Sequence, residues 1–231
     1  MITEILDFLA GTNDFAVAIR LLIAALFGSL IGWERIIRRH SAGIKTFTLV
    51  SLGSAVATAL NIYLANLPGL SADVSRIPAG VVSGIGFLGA GTILVTGRKQ
   101  IKGLTTAASL WVASCMGMAI GAGYVVVGTI CFILVMISNI ILYQFSGVVE
   151  SHSKYMSIYI EVEKDQGVTR LSRLMYGEGY EILSLTKSKE KPLLSTDVAL
   201  IMDLQLKKGM AHSDIIKMLS EQEFVNYIEE I

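Results

Sequence analysis

Five windows, at roughly 15–33, 46–66, 79–96, 104–122 and 124–146, each hold about the 20 mostly apolar residues that a membrane-crossing helix needs. Such runs cannot all be hidden in one small soluble core, so the first expectation is a polytopic α-helical membrane domain. Composition agrees: of 231 residues, 53% are hydrophobic and 16% charged, with mean hydropathy +0.62. The charges are uneven, crowded into 152–231 and sparse over 46–146. The predicted division is therefore a transmembrane domain over 1–150 and a water-exposed domain over 151–231. A zero net charge offers no basic face for nucleic acid. Cys115 and Cys131 both lie in apolar runs and read as buried, inert thiols. The first fourteen residues carry Glu4, Asp7 and Asp14 in place of a basic start, so no cleavable signal peptide is expected.

Small residues mark the helix faces. At about 100° per residue, Gly80, Gly84 and Gly91 of RIPAGVVSGIGFLGAGTILV share one face with Ser83. Little hydrophobic drive separates or joins helices in lipid, so close backbone approach between small residues carries their association. That face is expected to pack a helix or a partner. Ala107, Ser114, Gly117 and Gly121 form a matching stripe in the fourth span, and Ala24, Gly28 and Gly32 repeat the device in the first. The third and fourth spans are expected to pack together. The fifth span is bulkier, with Asn139 as its strongly polar group, which can hydrogen-bond a neighbouring helix.

Charges then set the orientation. Arg35, Arg38, Arg39 and Lys45 stand against the single acid Glu34 between spans one and two, and Arg98, Lys99 and Lys102 lie between spans three and four. Positive-inside counting puts the N-terminus outside and both basic loops and the C-terminal domain in the cytoplasm. Arg20, one turn inside the first span, is an intramembrane charge that snorkels to the headgroups or pairs with Asp14 or Asp73. Glu34, Arg35, Arg38 and Lys45 read either as an interfacial cluster offered to a partner or anion, or as topology-setting charges. Thr105 and Thr106 are expected to cap the fourth span, with Arg98, Lys99 and Lys102 as a basic rim toward anionic membrane lipid. Trp33 reads as an interfacial anchor and Trp111 as core packing.

After Ser151 the periodicity changes. YMSIYIEVE alternates as a strand, VTRLSRLMYGEG has helical spacing, YEILSLTKSKE and LLSTDVALIMDLQLK read as strands, HSDIIKMLSEQ as a helix and FVNYIEEI as a last strand. The order βαββαβ predicts an α+β ferredoxin-like domain. His40, His152 and His212 lack a metal-ligand spacing, and neither a cofactor nor a metal is implied. With no catalytic triad or carboxylate pair in view, a non-enzymatic role is expected.

Three consecutive blocks, GSLIGWERIIRRHSAGIKTFTLVSLGSA, RIPAGVVSGIGFLGAGTIL and GLTTAASLWVASCMGMAIGAGY, give the chain its resemblance to the MgtC/SapB family of bacterial inner-membrane proteins. Lys45 stands where the family pattern usually has arginine, and Pro78 and Gly80 fall in a segment that more often reads Ala-Gln. The resemblance implies a five-span membrane domain followed by an ACT-like cytoplasmic domain. It also implies adaptation to low magnesium or acid stress, and a regulator that binds the membrane part of F1Fo ATP synthase. The alternatives are a Mg²⁺ or other cation transporter and a small-molecule sensor acting through the ACT-like domain. Magnesium prefers near-octahedral oxygen ligands, usually with a carboxylate, and the five windows contain no Asp or Glu. Edge-to-edge pairing of two ACT-like domains is a route to a homodimer.

Overall fold

The computed structural model describes residues 2–69, 73–96, 101–142, 153–206 and 211–231. It divides into two compact units, Met1–Leu94 with Lys102–Leu142 and Val95–Ile101 with Tyr143–Ile231. The expected boundary at 150/151 lies outside the described residues.

The first unit is all helical. A short additional helix outside the five apolar windows, α1 (Ile2–Ala10), precedes α2 (Asp14–Ile37), α3 (Ile44–Ala65) and α4 (Arg76–Thr92). After the two-residue strands β1 (Leu94–Val95) and β2 (Ile101–Lys102) come α5 (Leu104–Gly121) and α6 (Val125–Ile137). A π-helical turn, Ser138–Leu142, extends α6. Asn13 starts α2 by accepting a hydrogen bond from Ala16 N–H at 2.7 Å, satisfying one of the free donors of the first turn. Asp73 accepts from both Ser75 N and Ser75 Oγ just before α4, and Pro78 sits in its first turn, where the missing N–H removes no helical bond. Gly103 precedes α5 with φ +95, and a Cβ there would run into the Thr92 carbonyl.

Four of these helices are long and apolar enough to cross a membrane: α2, α3, α5 and α6 with its π turn. α4 has 17 residues, about 26 Å at ~1.5 Å per residue, against a hydrocarbon core of about 30 Å.

α3 is the hub of this unit, packed between α2 and α5. Glycines permit both contacts. A Cβ on Gly28 or Gly32 of α2 would lie under 3.0 Å from Phe47 O or Ile44 Cα of α3, and one on Gly117 or Gly121 of α5 would strike Ser51 O or Ala55 O. The α2 and α5 stripes read from the sequence therefore both meet α3. α6 closes the group by setting Phe132 on Phe27 with ring centroids 4.4 Å apart, and Gly128 admits Ile120. Trp111 is a correction, since it is exposed rather than core.

The second unit holds β3 (Tyr155–Glu163), an α-helix numbered here α7 (Gly167–Gly177), β4 (Glu181–Lys187), β5 (Asp197–Gln205), α8 (His212–Ser220) and β6 (Val225–Glu230). All neighbouring strands are antiparallel in the order β4-β5-β3-β6, so β3 and its helix-linked successor β4 flank β5. The period-two pattern splits β3 cleanly. Met156, Ile158, Ile160 and Val162 face a core completed by Leu171 and Met175 of α7 and Ile215 and Leu219 of α8. Tyr159 occupies the other face beside Ala199 and Ile201, its ring edge-on to Tyr227. Gln166, just before α7, takes a left-handed φ of 67, a conformation that usually selects glycine.

His212 at the start of α8 ties this unit together. Its Nδ1 lies 2.5 Å from Glu230 Oε1 and its Nε2 3.0 Å from Ser153 O. Both partners accept, so the doubly protonated ring satisfies both contacts. Burial opposes that charge, but the bonds to Ser153 and Glu230 outweigh it and hold the imidazole above its ordinary value. A raised folded-state pKa contributes stability that is complete below the unfolded value and is lost as pH rises through the folded one.

Two outcomes follow from this packing. Gly117→Ala should lower the melting temperature of the detergent-solubilised protein, corresponding to about 1–3 kcal/mol of overpacking against α3, whereas Gly53→Ala, which meets open space, should not. For His212→Gln, thermal melts at pH about 5.5 and about 8.5 should show a smaller excess of stability at the lower pH than the parent.

Candidate functional site

Buried charge gathers at the C-terminal end of α2. Glu34 and Arg35 are only 8% and 2% exposed. One helical turn on, Arg38 Nε forms an ion pair with Glu34 Oε1. The second carboxylate oxygen, Oε2, accepts from Asn139 Nδ2 at 3.0 Å. Asn139 belongs to the π-helical turn, a distortion often found where a side chain is re-aimed for a specific task. Arg35 turns to the other side and reaches Thr106 Oγ1 of α5 at 3.4 Å, while its buried Nε has no hydrogen-bond partner. A single turn of α2 thereby holds the start of α5 and the end of α6. Burial and the nearby Arg35 together push His40, in the α2–α3 connection, below its ordinary value, so it adds no further cation near neutral pH.

The structure sorts the predicted cluster. Glu34, Arg35 and Arg38 meet as expected, but Lys45 is exposed on the first turn of α3 and joins none of them. The capping role expected of Thr105 and Thr106 is corrected. Gly103 is the N-cap of α5 and no side chain caps it; Thr106 is buried against Arg35, and Thr105 points outward. A hydroxyl that accepts from a guanidinium 71 positions away leaves no local sequence signal. Lys102 is exposed, and Arg98 and Lys99 lie outside the described residues, as does His152. Asn139 does hydrogen-bond a neighbouring helix, and the sequence could not name Glu34 as its acceptor.

A row of hydroxyls links this cluster to the far end of the unit. Ser51 Oγ donates to Ala24 O at 2.8 Å, Ser54 and Ser114 share a 2.8 Å bond, and Thr58 Oγ1 donates to Ser54 O at 2.9 Å. Asn61 continues the row by donating to Val74 O at 2.7 Å. At the other end of α2, Arg20 is 3% exposed, and among the described residues no ion pair joins it to Asp14 or Asp73. The snorkelling expected of it is corrected: the side chain is buried, with its Nη1 beside Gly123 of the α5–α6 turn.

The small-residue faces divide in two. Gly117, Gly121 and Ser114 of α5 are consumed by α3, while Ala107 meets Gly89 of α4. The expected contact of α4 with α5 is present, but it runs through Ile85 and Gly89. Gly80, Ser83, Gly84 and Gly91 are exposed, and a Cβ on any of the three glycines would meet open space. Among the described residues, that face packs nothing.

Comparison with known proteins follows the same unit. Residues 21–148 match a family model described as the MgtC family. Protein MgtC of Brucella abortus is 37% identical over 127 residues, 55% of this chain and 51% of that one. Protein SapB of Bacillus subtilis is 38% identical over 115 residues, 48% of this chain and 50% of that one. An Escherichia coli K12 protein with the printed name "Putative magnesium transporter YhiD" is 45% identical over 109 residues, 46% of this chain and 50% of that one. The chain spans about half the length of the curated relatives it matches. No solved structure matches it.

Because Glu34 serves Arg38 and Asn139 at once, Glu34→Ala should destabilise the detergent-solubilised protein by about 1–3 kcal/mol through the two groups it strands. Thermal unfolding of Lys45→Ala beside it should stay within about 0.5 kcal/mol of the parent.

Proposed function

The chain belongs to the MgtC family, and on that premise we propose that it is a non-enzymatic regulator that binds another membrane complex through the α4 face. The observation that carries this reading is the contrast between stripes. Those of α2 and α5 are filled by α3, whereas Gly80, Ser83, Gly84 and Gly91 form an equally small face with nothing against it among the described residues. In a bilayer such a face suits a helix of another protein, because backbone contact replaces the missing hydrophobic drive. The partner we favour is the membrane part of F1Fo ATP synthase, in adaptation to low Mg²⁺ or acid stress. The setting is a bacterial inner membrane, with the N-terminus outside and the sheet-bearing unit in the cytoplasm. We read the βαββαβ order of that unit as ACT-like, with the edge strands β4 and β6 as its route to a homodimer.

A Mg²⁺ carrier is the second reading, supported by the name of the E. coli relative and by the buried carboxylate of Glu34. It ranks lower because Glu34 is already occupied by Arg38 and Asn139, and α3 to α6 contain no Asp or Glu to help bind a hard cation.

ATP-driven proton pumping in inverted bacterial membrane vesicles separates the two. The regulator should lower pumping relative to an unrelated five-span protein, and Gly84→Leu, which has room for its side chain in the single chain, should restore it without loss of expression. Unchanged pumping at high occupancy, together with Mg²⁺ flux through the purified protein in proteoliposomes, would move the assignment to the carrier.

A further inference from the structure

Arg20 poses a problem that the α4 face does not address. Arg20, only 3% exposed, has been taken largely out of water, and among the described residues no carboxylate pairs with it and its Nε lacks a hydrogen-bond partner. A buried cation left alone is strongly unfavourable, whereas a buried cation that meets an anion is not. Apolar substitution would remove the difficulty, yet the fold builds around the charge. Gly123 adopts φ +93 at the α5–α6 turn, and a Cβ there would come within 2.8 Å of Arg20 Nη1. Glycine at this helix-ending position also leaves the guanidinium its space.

Arg20 also lines a cavity of about 500 Å³ between α2 and α3. Val17, Leu21, Val56 and Leu60 give it apolar walls, and Asn66 and Asp14 stand among its polar lining. Arg20 is six residues along α2 from Asp14, which is about 9 Å along the helix. That depth corresponds to the boundary between headgroups and acyl chains for a helix beginning at the membrane surface. The lining thus combines a carboxylate at the start of α2, a cation six residues further on and apolar walls.

We propose that this cavity is a binding site for a phospholipid whose phosphodiester pairs with Arg20 and whose acyl chain lies against Val17, Leu21, Val56 and Leu60. The phosphate supplies the anion that the guanidinium lacks, and Arg is suited to take two phosphate oxygens at once. Asp14 disfavours a headgroup with a second negative charge and complements an ammonium, so phosphatidylethanolamine is the matching lipid. Its ammonium and phosphate complement the carboxylate and the guanidinium of the lining. The bound lipid then acts as a structural ligand joining α2, α3 and the α5–α6 turn.

The test is thermal unfolding of the full chain, delipidated in a nonionic detergent, with phosphatidylethanolamine, diacylglycerol, or inorganic phosphate plus ethanolamine added. Phosphatidylethanolamine should raise the melting temperature by about 5 °C at a hundredfold excess over its dissociation constant. Diacylglycerol and the soluble pair should leave it unchanged. Arg20→Met should abolish the shift. If that variant does not fold, Ala59→Phe, which narrows the cavity and retains the arginine, should abolish it independently. An equal shift from diacylglycerol would reduce the site to an apolar groove, and an equal shift from phosphate and ethanolamine would make it a soluble-anion site. Either result overturns the assignment, as does a shift that survives in both variants or no shift in the parent.

Discussion

The membrane unit depends on how closely α3 can be approached from both sides. Gly28 and Gly32 on one side, and Gly117 and Gly121 on the other, bring backbone to backbone at separations that exclude even a methyl group. Helices that gain little from excluding lipid need this density of van der Waals contact to associate. The polar bonds follow from it. Ser51 can reach Ala24 O, and Ser54 can reach Ser114, only because the three helices are already that near. The charged cluster is one step further removed, since Arg35 meets Thr106 across the same α2–α3–α5 arrangement.

Against that background α4 is the exception. It is richer in glycine than α2 or α5, yet its glycines other than Gly89 meet no neighbour among the described residues, and Phe87 is 82% exposed on the same helix. Glycine in a helix costs roughly 1 kcal/mol relative to alanine. On α2 and α5 that cost is offset by contact within the chain. On α4 an offset must come from outside it, which is why an external helix is the occupant we favour for that face.

What could be read from the sequence was whatever has a period. Strand alternation placed the second unit's elements within a few residues, from Tyr155–Glu163 to Val225–Glu230, and hydropathy found the long helices. The small-residue stripes of α2 and α5 were visible as well. Their partner was not, because a stripe records that something comes close and says nothing of which helix does. Pairs separated by long stretches of chain left no trace: Asn139 and Glu34 are 105 positions apart, and Arg35 and Thr106 are 71 apart. Thr106 was misread for a related reason. Its place in the first turn of α5 suits a cap, but the demand of a buried arginine prevailed over local convention. Arg20 was expected to reach the headgroups and instead is buried beside a turn about a hundred residues later.

The hydroxyl row along α3 has one more implication, concerning passage rather than packing. Ser51, Ser54, Thr58 and Ser114 look like the lining of a polar route through the bilayer when read as a row of oxygens. Yet Ser51 and Ala55 offer their carbonyls to α5 across a gap too small for one carbon atom. A hydrated cation is far larger than that, and magnesium gives up its waters reluctantly. The seam between α3 and α5 is therefore sealed, and a solute crossing this fold would have to take another path.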